Sequence, residues 1–338
     1  MPLLGMFSND IAIDLGTANT LIYMKGKGIV LNEPSIVTYD VASRKIIAIG
    51  EESKKMMGRV HKELATIRPM KDGVIADFEI AEGMIKEFIK KISSSWMPSR
   101  RIVICVPSGI TEVEKRAVRD TAEHAGAKEV YLISEPMAAA IGIGLDVMAP
   151  YGNMIVDIGG GTTEIAVIAL SGITNGTSIR IAGDELTESI IRFFRNNHNI
   201  LIGERTAEEI KCQVGSVMPL KEEVIIEVKG RDLVAGIPKI TEVSSIEIRE
   251  SLNAPVTQMI EAVKVALEKT APELSSDLLD RGIFLTGGGA LIKGLDERIK
   301  METGVSVHVA EDPLTAVARG TGKVLEDLDY FKKVLLRR

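Results

Sequence analysis

Cysteine is nearly absent from this chain: Cys105 and Cys212 are the only two among 338 residues. Cys105 lies in the apolar run Ile102 to Val106 and Cys212 in an expected helix. Neither a disulfide framework nor a metal-ligand spacing is present, and a reducing cytoplasm is the expected compartment. His61, His124, His198 and His308 are scattered without ligand spacing and are assigned no chemistry. Charge of one sign is also scarce, because acidic and basic residues nearly cancel to a net −6. That balance lacks the basic excess of proteins that bind through phosphate contacts, so nucleic acid is excluded as a partner. No apolar stretch reaches the roughly 20 residues needed to span a bilayer, and no signal peptide is visible. Aromatic residues make up only 4% and tryptophan occurs once, while hydrophobic residues reach 45%. This is the texture of an Ala/Ile/Val-rich α/β protein, and the length predicts two lobes rather than one core.

What the chain does contain is a repeated turn. Ile11-Ala-Ile-Asp-Leu-Gly-Thr-Ala-Asn-Thr20 and Ile155-Val-Asp-Ile-Gly-Gly-Gly-Thr-Thr-Glu164 are each an apolar strand ending in Asp-x-Gly, a tight turn of small hydroxylated residues, and a second strand. Glycine admits phosphate oxygens close to the backbone, and successive N–H groups donate to them. Two copies, each opening its own half, predict two similar domains facing each other across a nucleotide. Asp14 and Asp157, at the strand ends, are placed to hold a hydrated Mg²⁺ or to orient a water. Asp before Gly also commonly starts turns, but the matching positions in the repeat count against that plainer reading.

Further elements follow from periodicity and punctuation. Strands are expected at Ile29 to Leu31, Ser35 to Tyr39 and Lys45 to Ile49, with a helix at Glu52 to Met57, so that Glu33 to Asp77 forms an insertion. Arg101 to Pro107, a helix from Thr111 to His124, Gly126 as its stop and a strand from Glu129 to Ile133 make a βαβ unit. Gly282 to Leu285, Thr286-Gly-Gly-Gly289, a helix from Leu291 to Glu302 and a strand from Val305 to Val309 repeat it. Between Gly183 and Ser251 an α+β insertion is expected. Its helices run from Glu185 to Asn196 and from Thr206 to Gln213, with Thr206 and Glu209 as a capping box. Strands at Glu222 to Val228 and Ile240 to Ser244 precede a long helix from Val256 to about Lys269.

Glu135 stands in Ser134-Glu-Pro-Met-Ala-Ala-Ala-Ile141, where Ser134 can cap a helix and Pro136 suits its first turn. A carboxylate there either satisfies helix-terminal N–H groups or acts as a base or water-orienting group. Its place directly after a buried strand, where α/β clefts form, favours function. Gly287 to Gly289 read either as a tight strand-to-helix connection or as a contact for ribose or adenine. Glu208 and Lys211, one turn apart, read as a solvated face. Leu3, Leu4, Met6 and Phe7 before the first strand, and Trp96-Met97 in a loop followed by Arg100 and Arg101, either pack back onto the body or enter a membrane interface.

Taken together, Asp14 to Thr20, Asp157 to Glu164, Glu135 to Gly142 and Thr286 to Ala290 resemble the actin/heat-shock chaperone/sugar kinase superfamily. Within it, the chain is similar to the MreB family of bacterial actins. The resemblance rests on Gly26-Lys-Gly-Ile-Val, Asn32-Glu-Pro-Ser, Ile67-Arg-Pro-Met-Lys-Asp-Gly-Val-Ile-Ala-Asp77, Ile181-Ala-Gly-Asp-Glu185, Ile202-Gly-Glu-Arg-Thr-Ala207 and Leu267-Glu-Lys-Thr270, and covers nearly the whole length. It implies an α/β, ribonuclease H-like duplicated, two-lobed actin-like fold. Four subdomains would occupy 1–32, 78–149 and 316–338 (IA), 33–77 (IB), 150–183 and 252–315 (IIA), and 184–251 (IIB).

The resemblance also implies ATP and Mg²⁺ as cofactors and a weak ATPase coupled to filament assembly. Asp14, Gly16, Thr17, Ala18, Asn19, Thr20, Gly159, Gly160, Gly161, Thr162 and Gly183 would bind the nucleotide, with Glu208, Lys211, Gly287, Gly288, Gly289 and Ala290 around the nucleoside. Glu135, Thr162 and Asp157 would be catalytic, with Asp14 and Asp157 on the metal side through water. The partners implied are further copies of the chain in antiparallel double filaments, the inner face of the cytoplasmic membrane, and membrane proteins of the cell-wall elongation machinery. The rival reading is a sugar- or acetate-kinase-type phosphotransferase, for which no substrate pocket is found. A chaperone ATPase lobe ranks last.

Overall fold

The C-terminal ends of two matching strand sets face each other across a deep cleft, and the chain order of the elements explains how. A computed structural model describes residues 10–92 and 101–336. In the first lobe, β1 (Ile11–Leu15) turns at Gly16 into β2 (Asn19–Met24), which returns as β3 (Gly28–Pro34). A small sheet follows, with β4 (Val37–Asp40) between β5 (Ile46–Ile49) and β6 (Leu64–Ile67), and α1 (Glu51–Met56) alongside. The tight hairpin of β7 (Met70–Lys71) and β8 (Val74–Ile75) leads to α2 (Phe78–Ile92), then β9 (Arg101–Val106), α3 (Glu112–His124), β10 (Glu129–Ser134) and α4 (Glu135–Gly142). The large sheet has the order β10-β9-β1-β2-β3, with β9 and β10 parallel to β1.

The second lobe repeats this plan. β11 (Asn153–Ile158), β12 (Thr163–Ala169) and β13 (Gly172–Ile179) form the hairpin series, followed by α5 (Gly183–Phe193) and a single π-helical turn at Phe194–His198. β14 (Ile200–Leu201), α6 (Glu204–Val214), β15 (Ile225–Asp232) and β16 (Pro238–Ser244) make up the inserted part, in which β15 lies between the other two strands. Then come α7 (Ser245–Glu268), α8 (Pro272–Arg281), β17 (Ile283–Thr286), α9 (Leu295–Thr303), β18 (Val307–Val309) and α10 (Ala316–Glu326). Reading its order from the other edge, β18-β17-β11-β12-β13, gives the same arrangement as the first sheet.

Each lobe has its own apolar core, and a third cluster joins them. That third cluster is built on α4 and α10, the helices that follow the last strand of each large sheet. They cross so closely that a methyl group at Gly142 would lie 1.8 Å from the carbonyl oxygen of Ala316, and one at Gly320 1.7 Å from that of Ala138. No side chain fits at either position, so the two lobes meet backbone to backbone.

Several expected boundaries move, each for a physical reason. The expected capping box at Thr206 does not form: α6 begins earlier, at Glu204, with Gly203 as its N-cap, so Thr206 is already inside the helix. A capping box forms instead at Ser244, whose hydroxyl accepts from the N–H of Glu247 while the Glu247 carboxylate accepts from the N–H of Ser244. It starts α7 eleven residues before the expected Val256, and the helix runs through Pro255. Burial of Ile248, Leu252, Val256, Met259, Ile260 and Val263 along one stripe outweighs one lost N–H donor. Helix α9 starts at Leu295 rather than Leu291, because Gly288–Leu291 winds into a 3₁₀ turn first. Ser134 is the N-cap of α4 but makes no side-chain capping bond.

Candidate functional site

Between the lobes lies a cavity of about 730 Å³. Its walls come from the C-terminal ends of β1, β10, β11 and β17, where the peptide dipoles and the loop N–H groups are free to meet a ligand. The first turn contributes Asp14, Gly16, Thr17, Ala18 and Asn19, and the second Asp157, Gly159, Gly160, Gly161 and Thr162. Glu135, at the first position of α4, joins the lining. Gly183 opens α5, Glu208 and Lys211 come from α6, and Gly287, Gly288 and Gly289 from the turn after β17.

The glycines are there because space forbids anything else. In the first turn the Gly16 N–H donates to the carbonyl of Asn19 at 3.1 Å, and a Cβ on Gly16 would lie 2.7 Å from that oxygen. The two turns touch: a methyl group on Gly160 would lie 2.8 Å from the Cβ of Ala18, and one on Gly161 2.7 Å from the hydroxyl of Thr17. Gly287 has φ +77°, and a Cβ there would lie 2.3 Å from the carbonyl oxygen of Ile158. Two N–H-rich loops brought into contact define one anion-sized gap rather than two separate turns.

The floor of that gap is crowded with carboxylates. Burial raises Asp14 to about 6, against a hydrogen bond from the thiol of Cys105 at 3.2 Å that lowers it. Asp157 is raised to about 7 by burial, opposed by the hydroxyl of Thr286, which donates to it at 2.9 Å, and reinforced by the charges of Asp14 and Glu164. Glu135 is pushed well above the ordinary glutamate range by burial and then by Glu164, Asp14 and Asp157. The three carboxyl groups repel one another across the space where the turns meet, a charge arrangement that favours a cation between them.

At the other side of the cavity Lys211 is the organising charge. Its ammonium donates to the carbonyl of Gly183 at 2.9 Å and to the Thr187 hydroxyl at 3.0 Å, and pairs with Glu208 at 2.6 Å. Only 11% of the Lys211 side chain is exposed, so the plain reading as a solvated face is overturned for Lys211, whereas Glu208 keeps 45% of its side chain exposed. Arg68, just after β6, reaches across the cleft from the first lobe to Glu204 on α6 at 2.6 Å and to Asp184 on α5 at 3.6 Å.

Two expected contacts lie away from the wall. Thr20 is fully buried beneath the first turn, its hydroxyl 2.8 Å from that of Ser35, which in turn donates to the carbonyl of Gly16. Thr20 therefore braces the turn from below. Ala290 is buried behind the 3₁₀ turn of Gly288–Leu291. Leu3, Leu4, Met6, Phe7, Trp96 and Met97 lie outside the described residues. Sequence reasoning missed Arg68, Asp184 and Glu204 as a bridge, although all three stand inside the segments quoted for the resemblance. No spacing within one segment signals a pair formed by two.

A duplicated ribonuclease H-like sheet, crossed helices at the lobe junction and paired phosphate-type turns define an actin-like two-lobed protein. The structure of MreB 5 of Spiroplasma citri bound to AMPPNP superposes with a TM-score of 0.91, at 36% identity, over 95% of this chain and 97% of that one. A MamK double helical filament structure shares the fold at a TM-score of 0.80 and 23% identity, covering 94% of this chain and 99% of that one. The MreB/Mbl protein family model matches residues 8–333, and the chain belongs to that family. It is 56% identical to the cell shape-determining protein MreB of Escherichia coli (strain K12), covering 96% of this chain and 95% of the relative. It is 50% identical to the cell shape-determining protein Mbl of Bacillus subtilis (strain 168), covering 97% and 99%. Among the described residues, no helix is long and apolar enough to cross a membrane.

Proposed function

We propose that this chain is a cytoskeletal ATPase that binds ATP with Mg²⁺ in the cleft, assembles into antiparallel double filaments on the inner face of the cytoplasmic membrane, and maintains rod shape by organising peptidoglycan synthesis with the wall-elongation machinery. The observation that carries the reading is the contact between the two phosphate-type turns above a floor of three carboxylates. A relative at 36% identity has been solved with AMPPNP and with ADP, which supports a nucleotide as the occupant.

The donor set fits Mg²⁺. Among the described residues no group of three or more His, Cys, Asp and Glu side chains is arranged to hold a metal. Asp14 and Asp157 line the gap at matching places in the two turns, and magnesium characteristically keeps waters and phosphate oxygens beside one or two carboxylates. When bound, the ion neutralises charge on the β- and γ-phosphates. Thr17 to Asn19 and Gly159 to Thr162 hold the phosphates through backbone N–H groups and hydroxyls. Glu208, Lys211 and Gly287 to Gly289 surround the nucleoside.

Hydrolysis joins a water oxygen to the γ-phosphorus and breaks its bond to the bridging oxygen, whose electron pair leaves with ADP. Glu135 and Thr162 orient that water, and the raised basicity of Glu135 suits it to accept a hydrogen bond from the water as its O–H weakens. We keep the four subdomains at the boundaries that the resemblance implies, a division that the separate β4–β6 and β14–β16 sheets support for IB and IIB. On sequence grounds Leu3, Leu4, Met6, Phe7, Trp96 and Met97 make the membrane contact.

The test is negative-stain electron microscopy of the purified chain with Mg-ATP, with and without anionic liposomes. Paired filaments, denser on lipid and lost from lipid when residues 1–7 are deleted and Trp96→Ala is introduced, are expected. Monomeric particles under both conditions, with turnover stimulated by a small alcohol or acid, would replace the filament reading with a phosphotransferase.

A further inference from the structure

Each strand-end aspartate is held by a donor on the strand beside it, and the two lobes place that donor at the same register. β9 runs parallel to β1 with Ile13 opposite Ile104, which brings the next residues along, Asp14 and Cys105, side by side. β17 runs parallel to β11 with Asp157 opposite Thr286. The Cys105 thiol donates to Oδ1 of Asp14 at 3.2 Å, and the Thr286 hydroxyl donates to Oδ1 of Asp157 at 2.9 Å. Asp14 and Asp157 occupy matching places in the repeat, so Cys105 and Thr286 match as well, although one is a cysteine and the other a threonine.

Both donors lie on the junction side of their sheets. Side chains alternate along a strand. Val103, two residues before Cys105, and Phe284, two before Thr286, contribute to the apolar cluster that joins the lobes, whereas the intervening Ile104 and Leu285 belong to the separate cores. Cys105 and Thr286 are themselves buried. A polar hydrogen in such a layer costs stability unless it is bonded, and here each goes to the carboxylate. With Oδ1 bonded from the neighbouring strand, rotation of the carboxyl group is restrained and Oδ2 is left for the cleft, whose wall both aspartates line. The two holds differ in strength. A thiol is a weak donor, and Sγ of Cys105 also lies 3.7 Å from the carbonyl oxygen of Ile13, so its single proton is shared. The Thr286 hydroxyl commits its proton to Asp157 at the shorter distance.

We propose that Cys105 and Thr286 are a duplicated pair of positioning residues, each turning the free oxygen of its aspartate toward the hydrated Mg²⁺ of the bound nucleotide, with Thr286 holding Asp157 firmly and Cys105 leaving Asp14 looser. This rests on the reading of Asp14 and Asp157 as the carboxylates on the metal side. Donors behind a metal-side carboxylate tune metal affinity although they touch neither metal nor substrate. Their loss should therefore change the response to Mg²⁺ and leave metal-free nucleotide binding alone.

The experiment measures the Kd of a fluorescent ATP analogue on the full chain at graded Mg²⁺ and in EDTA, with thermal melts, for Thr286→Val, Thr286→Ser, Cys105→Ala and Cys105→Ser. Thr286→Val keeps the shape but has no proton to give, and should raise the Mg²⁺ concentration for half-maximal tightening about tenfold, while Thr286→Ser should stay within about twofold of the parent. Cys105→Ala should raise it only about threefold, and Cys105→Ser, a stronger donor, should bring it to the parent value or below. In EDTA every variant should stay within about twofold of the parent. A Mg²⁺ midpoint unmoved by Thr286→Val and Cys105→Ala, serine variants as impaired as those two, or a Kd weakened equally with and without Mg²⁺, would overturn the positioning role while leaving the nucleotide site intact. Should Thr286→Val fail to fold, the contrast between Cys105→Ala and Cys105→Ser decides alone. A parent chain that binds the analogue equally well in Mg²⁺ and in EDTA would overturn the metal-side reading of the two aspartates as well.

Discussion

Replacing Gly320 by alanine sets two opposed effects against each other at one atom. In a helix interior, alanine is favoured over glycine by roughly 0.5–1 kcal/mol, so α10 on its own would be strengthened. In the folded protein the new methyl carbon would stand 1.7 Å from the carbonyl oxygen of Ala138, whereas a carbon and an oxygen in ordinary contact stay about 3.3 Å apart. The atom met is backbone, so it cannot swing aside, and α4 and α10 must separate by about 1.6 Å, the difference between those two distances. Overpacking of this kind costs about 1–3 kcal/mol, at its upper end where backbone moves. Subtracting the propensity gain leaves a net loss of about 2 kcal/mol, or a melting temperature lower by roughly 4–8 °C for a domain of 150–250 residues.

Gly83 on α2 is the matched control. A methyl group there would meet the Cδ1 of Ile46 at 2.4 Å, the far end of a flexible side chain that can rotate away. For Gly83→Ala the propensity gain therefore offsets or exceeds the repacking cost, and the melting temperature should stay level or rise slightly. Differential scanning calorimetry of both variants with the parent checks the pair. A Gly320→Ala protein as stable as the parent, or a Gly83→Ala protein that loses as much as Gly320→Ala, would refute the assignment of the α4–α10 crossing as a rigid backbone contact. Because α4 begins at Glu135, spreading the helices should also reduce ATP turnover at temperatures where the variant is still folded.

Three other outcomes are expected. Glu135→Gln should leave nucleotide affinity within about twofold and slow phosphate release by roughly 10²–10³-fold, as loss of a general base does; equal losses of both would remove Glu135 from the transition state. Burial raises Asp14 to about 6 and Asp157 to about 7, above the ordinary aspartate range, so the nucleotide-free chain binds more protons folded than unfolded across that window. Its melting temperature should fall as pH rises from about 5 to 8, Mg-nucleotide should cancel that slope, and a flat profile without nucleotide would contradict the burial of these groups. Arg68→Ala removes the bridge to Glu204 and Asp184 across the cleft, and should speed release of a fluorescent nucleotide several-fold with little effect on stability, since the pair is partly exposed; an unchanged rate in stopped flow would show that the bridge does not hold the cleft closed.

The duplication, the α/β class and the phosphate turns were legible in the sequence because each is a local pattern: an apolar strand, Asp-x-Gly, then residues small enough for a tight turn. Periodicity also located β9, α3 and β10 to within a residue or two, since a strand buried on both faces and a capped amphipathic helix carry their own signals. What failed were choices between competing local signals. Thr206 with Glu209 and Ser244 with Glu247 are equally good capping boxes on paper, and only the packing of α6 and α7 selected the second. Pro255 marks a helix break in isolation, but the apolar stripe on both sides of it is buried against the second lobe, and that burial carries α7 through.

Contacts between distant segments belonged to the tertiary structure alone. Gly142 and Gly320 are unremarkable as letters 178 positions apart, and their necessity appears only where two helices cross. The same holds for Arg68 with Glu204, for Ser108 with Glu164, and for the raised basicity of Asp14, Asp157 and Glu135, which arises because three strand ends from two lobes converge in one water-poor space. A sequence records which residues can make a turn or a helix, because those depend on near neighbours. Distances across a cleft, and the electrostatics they create, exist only once the chain has closed on itself.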